Sequence, residues 1–260
     1  MVNTGLLLTQ ALNGIVLGLI FVLVALGLTI IFGTLGIVNF AHGDLLLLGA
    51  YITWLTYSAT GIFLLGILIG GITVGILGAV IELTTLRRIY DYDPTLQLLL
   101  TFGLAELLRG AVILVWGRSG KELSPPDWLG GSVEIAGIIT YPKYRLTVIL
   151  TGILLILSFY YLLNKTDTGL IIRAGTQDRQ MVQALGIDIS NIFMLVFALG
   201  AAVAAVAGGL IGPIRGVDPQ LGIDLLIPSF VVVVVGGIGS FKGSVVAGLL
   251  IGMAVVMTGV

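Results

Sequence analysis

Three residue classes are scarce in this 260-residue chain: cysteine is absent, histidine occurs once, and charged residues make up 10%. The lack of cysteine excludes disulfide frameworks and thiol chemistry, and a lone His42 excludes the paired-histidine zinc motifs. A typical soluble domain carries about 25% charged residues, so this chain is too poor in charge for a soluble enzyme. Its 12 basic and 13 acidic residues leave no surplus positive charge to bind nucleic acid.

Apolar residues are abundant instead, at 58% of the chain with a mean hydropathy of +1.17. A helix needs about 20 apolar residues to cross a bilayer, and short interrupted stretches are typical of broken helices. We therefore predict one all-α, polytopic membrane domain over residues 1–260, a bundle of about eight transmembrane helices, some short or broken. Because the last stretch has no polar flank, we expect a C-terminal tail beyond it. The eight stretches are 11–32, 44–60, 62–81, 95–116, 146–163, 191–213, 224–238 and 244–260.

Glycine, with 38 residues, recurs at four-residue spacing within several of these stretches. Two glycines so spaced lie on one helix face and let another helix approach closely. The sequence therefore predicts a compact bundle. The pairs are Gly14/Gly18, Gly66/Gly70, Gly71/Gly75, Gly208/Gly212 and Gly248/Gly252.

Asn39, His42 and Asp44 form a polar cluster between the first two stretches. Polar side chains are costly in a membrane unless they face water, protein or a substrate. They are therefore candidates for the lining of a translocation path, with an interfacial turn as the alternative. Gly43, between two of them, is expected to permit a local break in the backbone.

Glu106 and Arg109 lie three residues apart within one predicted span, so they share a helix face. An intramembrane ion pair usually faces the interior of a bundle. The pair is a second candidate for the path, although a structural pair that neutralises itself is an equally simple interpretation. Glu82, near Arg87 and Arg88, is expected to anchor a span end at the interface.

Residues 164–191 form the most polar stretch of the chain. Apolar residues at helical spacing predict one amphipathic helix from Leu170 to Leu185, ended by Gly186. Such a helix binds either a groove on a soluble partner or the lipid headgroups.

The chain resembles the permease subunits of branched-chain amino acid ABC importers, of the LivH type. The first matching motif is Gly36-Ile-Val-Asn-Phe-Ala-His-Gly-Asp44, extended by Gly49-Ala-Tyr51; the family usually has Glu at the position of Asp44. The second covers Gly169 to Ile187, and the third is Gly236-Gly-Ile-Gly-Ser240 with Gly243. The motifs follow the family order between about Gly14 and Gly252.

The resemblance implies that residues 164–191 are a cytoplasmic segment that couples the permease to an ATPase. It further implies a multi-pass protein of a prokaryotic cell (inner) membrane, with a LivM-like second permease subunit, two cytoplasmic ABC ATPases that hold ATP and Mg²⁺, and an external solute-binding protein as partners. The coupling residues it indicates are Gly169, Arg173, Ala174, Gln177, Asp178 and Gly186.

No Gly-x-x-x-x-Gly-Lys-Ser/Thr pattern occurs in the sequence: Gly120-Lys121 is followed by Glu122. We therefore expect a transport subunit without an ATPase site or cofactor of its own, and no enzyme. The expected substrate is a branched-chain or other neutral amino acid. Two alternatives stay open, a urea permease of the same family and a stand-alone channel or secondary carrier for a small solute.

Overall fold

The computed structural model describes residues 4–135 and 137–258, which contain ten α-helices. Each of the eight predicted apolar stretches contains a helix in the described residues, and two further short helices, α6 and α7, lie in the polar stretch before α8. The helices are α1 (Thr4–Leu35), α2 (His42–Thr60), α3 (Phe63–Thr84), α4 (Pro94–Trp116), α5 (Lys143–Lys165), α6 (Asp167–Gln177), α7 (Arg179–Ala184), α8 (Ile189–Arg215), α9 (Leu221–Gly236) and α10 (Phe241–Met257).

Five helical segments of the described residues are long and apolar enough to cross a membrane: α1, Phe63–Ile89, α4, α5 and α8. α9 and α10 are apolar but have only 16 and 17 residues. α2 has 19 residues and a polar first turn. The structure thus supports an all-α, multi-pass membrane protein, in which α2, α9 and α10 are the short helices that the sequence predicted.

One loop departs from the all-α prediction. Between α4 and α5, strands β1 (Ser132–Ile135) and β2 (Ile139–Pro142) form an antiparallel hairpin. Earlier in the same loop, the Lys121 N–H donates to the Val217 carbonyl at 2.7 Å. The loop is therefore fastened to the connection between α8 and α9.

The glycine faces of α1 and α10 pack directly against each other. A methyl group added at Gly18 would lie 2.9 Å from the Gly248 carbonyl oxygen, and one added at Gly252 would meet the Gly18 backbone. At the other end of the crossing, the hydroxyls of Thr29 and Ser244 are 2.9 Å apart and hydrogen-bonded. The predicted close approach of helices through these glycines is confirmed.

The remaining glycine pairs serve contacts among α2, α3 and α8, except that Gly212 packs against Leu123 of the loop between α4 and α5. Gly208 of α8 approaches the Leu46 carbonyl of α2. A methyl group at Gly75 of α3 would lie 3.2 Å from the Ala202 side chain of α8, and one at Gly66 would lie 2.8 Å from the Thr53 carbonyl of α2. α1, α2 and α8 consequently form the buried centre of the bundle.

α4 lies at the outside of the bundle and packs chiefly on α2. Asp93 caps it by accepting a hydrogen bond from the Thr95 backbone N–H at 2.8 Å, which lowers the pKa of this carboxyl below its usual value. Its outward face is apolar, with Leu114 exposed by 87%. A continuous apolar surface of this kind faces lipid or another protein.

Candidate functional site

The connection between α1 and α2 places the first polar cluster. Gly36 ends α1 in the left-handed region, with φ of +72°, and the Asn39 side-chain oxygen accepts a hydrogen bond from the Ala41 N–H at 3.1 Å. From α4, the Thr101 hydroxyl donates to the Val38 carbonyl at 3.1 Å. The non-helical segment 36–41 is therefore held against α4.

The break in the backbone precedes the position that the sequence indicated. Gly43 is helical, within the first turn of α2, so the expectation of a break there is wrong. Its missing side chain serves a helix crossing instead: a methyl group at Gly43 would lie 2.5 Å from the Gly222 carbonyl oxygen of α9. The starts of α2 and α9 therefore touch backbone to backbone.

His42 is completely buried beside α1. A methyl group at Gly27 would lie 2.7 Å from its ring, so the glycine makes room for the imidazole. The Val24 carbonyl is the backbone acceptor that faces the ring, but neither ring nitrogen has a hydrogen-bond partner among the described residues. His42 thus lies in the packed centre of the bundle.

Asp44 and Arg109 form an ion pair that joins α2 to α4. The Arg109 Nε donates to Asp44 Oδ1 at 3.1 Å, and Nη2 donates to Oδ2 at 2.9 Å. A third bond runs from Nη1 to Glu106 Oε1 at 3.0 Å. The Asp44 side chain is 1% exposed, that of Arg109 11% and that of Glu106 54%. The predicted Glu106–Arg109 pair is therefore part of a triad, whose third member is Asp44.

A cavity of about 370 Å³ lies beside this triad, a volume typical of small-molecule sites. Its charged residues are Glu106 and Arg109, and Asn39 lies in the same wall; His42 and Asp44 are not among its lining residues. Nearly all other lining is apolar and comes from segment 36–41, α4 and α9. These residues are Val38, Phe40, Phe102, Ala105, Ile223, Leu226, Ile227, Phe230 and Val231.

A second cavity of about 180 Å³ adjoins the first and shares Val38, Asn39 and Phe230 with it. Asn39 is only 1% exposed and lies in the walls of both cavities. Of the three polar residues in the first cluster, Asn39 is thus the one that lines the cavities. Asp44 lines neither of them but binds Arg109, which lines the first.

The second predicted site, 164–191, differs in shape from the expectation. The single helix from Leu170 to Leu185 is wrong, because the chain is extended at Asp178 and divides into α6 and α7. The Asp178 carboxylate accepts a hydrogen bond from the Met181 N–H at 2.9 Å and so caps α7. Gly186 follows the end of α7 with φ of +81°, as its place in the sequence predicted.

The other indicated residues of this segment divide into buried and exposed positions. Gly169 is buried against the backbone of Leu163, and Arg173 donates to the Leu163 carbonyl, so both join α6 to α5. Ala174 is half-buried, whereas Gln177, Asp178 and Gly186 are exposed. Gln177 and Asp178 lie at the break between the two helices, and Gly186 lies just after α7.

Glu82 and Arg87 form a further ion pair, which the sequence analysis did not predict. Glu82 is fully buried within the protein, and Arg87 donates to both of its oxygens, at 3.2 and 3.0 Å. The Tyr90 hydroxyl donates to the same carboxylate, and Arg87 also donates to the Ser190 carbonyl at 3.1 Å. This cluster fastens the end of α3 to the start of α8.

These features define an all-α, multi-pass membrane protein whose partly buried ion triad borders a mainly apolar cavity. The chain belongs to the family described as branched-chain amino acid transport system / permease component, which matches residues 10–260.

Similar proteins are known from bacteria and an archaeon. The high-affinity branched-chain amino acid transport system permease protein LivH of Escherichia coli strain K12 is 30% identical over 95% of this chain and 84% of its own length. The corresponding protein BraD of Pseudomonas aeruginosa is 31% identical, with the same coverage. A probable branched-chain amino acid transport permease protein LivH of Methanocaldococcus jannaschii is 28% identical over 90% of this chain and 76% of its own length. No solved structure matches significantly.

Proposed function

We propose that the chain is the permease subunit of an ABC importer that moves branched-chain or other neutral amino acids into a prokaryotic cell. The observation that carries the proposal is the cavity beside Glu106 and Arg109, within a member of a permease family. A neutral amino acid has an aliphatic part for the apolar walls and a zwitterionic head for the two charges. Asn39, His42, Asp44, Glu106 and Arg109 are the residues that we assign to the translocation path or its immediate support.

The character of the cavity argues against urea as the substrate. Urea has no aliphatic part, so it would gain nothing from the apolar residues that make up most of the lining. An aliphatic side chain gains about 25 cal/mol for each Å² removed from water. Amino acids are therefore the favoured class.

The partners follow from the surfaces that the subunit leaves open. The two exposed segments around Asp178 would contact the ATPases, which would hold ATP and Mg²⁺, and the apolar faces of α3, α4 and α5 would contact lipid and a LivM-like second permease subunit. An external solute-binding protein would deliver the substrate. In this arrangement the five long apolar helices and the three shorter ones, α2, α9 and α10, lie in the cell (inner) membrane.

Uptake by cells tests the substrate class. Deletion of the gene is expected to abolish uptake of labelled leucine while uptake of labelled urea and glutamate is unchanged. Restoring the gene on a plasmid is the control for effects on neighbouring genes. Loss of urea uptake alone would contradict the amino acid assignment, and unchanged uptake of all three solutes would favour a separate carrier.

The break at Asp178 gives a test of coupling to the ATPase. Asp178→Ala removes the cap of α7, a change worth about 1 kcal/mol of helix stability. In proteoliposomes with the complete transporter, we expect fewer leucine molecules imported per ATP hydrolysed, because a frayed α7 transmits less movement.

The capping explanation has two matched controls. Asp178→Asn keeps a capping oxygen and is expected to transport normally. Asp93→Ala removes an equivalent cap from α4, outside the coupling segment, and is expected to leave the number of leucine molecules imported per ATP unchanged. Normal transport by Asp178→Ala would show that this residue takes no part in coupling.

A further inference from the structure

We propose that Glu106 and Arg109 bind the two charges of the transported amino acid, with Glu106 accepting the ammonium group and Arg109 donating to the carboxylate. The inference rests on the proposed function and assigns a substrate site within it. Four observations carry it: the hydrogen bonds left open on each group, the balance of charge, an unpaired amide in the cavity wall, and the apolar lining.

The Arg109 guanidinium has unused donors. It carries five N–H groups, of which two donate to Asp44 and one to Glu106. The other two have no partner among residues 4–135 and 137–258. Asp44 holds the guanidinium through Nε and Nη2, so it fixes the orientation of the two donors that remain on Nη1 and Nη2 without occupying them. Guanidinium N–H groups are well suited to the oxygens of a carboxylate.

The Glu106 carboxylate has unused acceptor capacity. It receives a single hydrogen bond, from Arg109, and its side chain is 54% exposed at the edge of the cavity. An ionised carboxylate can accept about four hydrogen bonds. The triad has two acidic groups to one basic group, and Arg109 gives two of its three bonds to Asp44, so the Glu106 charge is the less neutralised of the two acidic charges.

Asn39 supplies an independent sign that the wall receives a polar ligand. Its side-chain Nδ2 is buried and has no hydrogen-bond partner within the described part of the chain. Buried amides are nearly always hydrogen-bonded, so an unpaired one calls for an explanation. A carboxylate bound at Arg109 lies in the same cavity and would provide the acceptor that Asn39 lacks.

The remaining lining sets the side-chain class. Phe102, Leu226 and Phe230 face the same space from α4 and α9. Glu106 and Arg109 are the charged residues of this lining, so once they hold the head group a charged substrate side chain would find no partner there. The site therefore takes an α-amino acid with an aliphatic side chain, with the head at Glu106 and Arg109 and the side chain between the two helices.

Photo-cross-linking tests the assignment in the complete transporter. The probe is photo-leucine, a leucine analogue with a diazirine in its side chain, supplied with the binding protein and ATP. We expect it to label α4 and α9 near the cavity and to be displaced by leucine. Leucinamide, which lacks the carboxylate, and 4-methylpentanoate, which lacks the ammonium group, are expected to compete much less well.

Glu106→Gln is the decisive variant, because it removes the charge with little change in shape and leaves the Asp44–Arg109 pair intact. We expect cavity labelling and leucine uptake to fall about tenfold or more, as hydrogen bonds to charged groups are among the strongest in proteins. Glu134→Gln, the same change in the exposed hairpin, is expected to behave as wild type, and a stable Glu106→Gln complex on gel filtration excludes misassembly. Labelling that leaves Glu106→Gln unchanged, or maps outside the cavity while the wild type imports leucine, would overturn the assignment. A wild type that imports no amino acid would instead refute the proposed function.

Discussion

Asp44→Leu is expected to lower the free energy of unfolding by about 3–5 kcal/mol, because it leaves the Arg109 guanidinium buried without its main partner. The pair is held by two hydrogen bonds of 3.1 and 2.9 Å, and Arg109 is only 11% exposed. Glu106 retains one bond to the guanidinium but lies half outside. The unfolding of the purified chain in mixed micelles, followed with increasing SDS, measures the loss.

A double variant separates the buried charge from the loss of packing. Replacing Asp44 with leucine and Arg109 with methionine exchanges the pair for apolar side chains of similar bulk, which often restores stability. We expect the double variant to unfold within about 1 kcal/mol of the wild type, although it can no longer bind a carboxylate. If the single variant is as stable as the wild type, Arg109 must reach solvent or another partner in the membrane.

A single methyl group added at the crossing of α1 and α10 is expected to lower the free energy of unfolding strongly. In Gly252→Ala the new methyl would meet the Gly18 backbone and lie 2.7 Å from the Gly14 carbonyl oxygen. Backbone cannot move aside as a side chain can, so the helices must separate, at a cost of about 2–3 kcal/mol. The same unfolding assay measures this cost.

Gly103→Ala is the matched control, since it introduces the same methyl group on a helix where nothing lies within 4 Å. Alanine is a better helix former than glycine, by up to about 1 kcal/mol, so this variant is expected to be at least as stable as the wild type. Equal behaviour of the two variants would show that the α1–α10 contact has room for a methyl group.

Hydropathy was sufficient to locate the eight apolar helices, α1 to α5 and α8 to α10, because each is a continuous apolar stretch whose backbone must satisfy its own hydrogen bonds. Glycine spacing likewise predicted which helix faces pack closely. The boundaries were less accurate: α10 begins at Phe241, where Ser240 caps it, and not at residue 244. Capping depends on one hydrogen bond and is invisible to an average over twenty residues.

The Asp44–Arg109 pair could not be predicted, because the partners are 65 residues apart in sequence and nothing local joins them. The spacing of Glu106 and Arg109 revealed only the bond within α4. The break at Asp178 did carry a local signal, since aspartate is a preferred N-cap residue, but the apolar periodicity on either side favoured one continuous helix. The aspects that escaped prediction depend on side chains meeting across the fold.

The pairing of α1 with α10 also determines how long α1 waits for its partner helix during biosynthesis. Gly18 and Gly252 lie 234 positions apart, so at 5–20 residues per second the ribosome needs roughly 12–47 s to deliver the partner of the first helix. Throughout that interval the glycine face of α1 is uncovered in the translocon or the surrounding lipid, where any other small-residue face can occupy it. Maturation of this protein therefore depends on α1 staying available until α10 emerges, and slowing translation would lengthen the exposure of α1 in proportion.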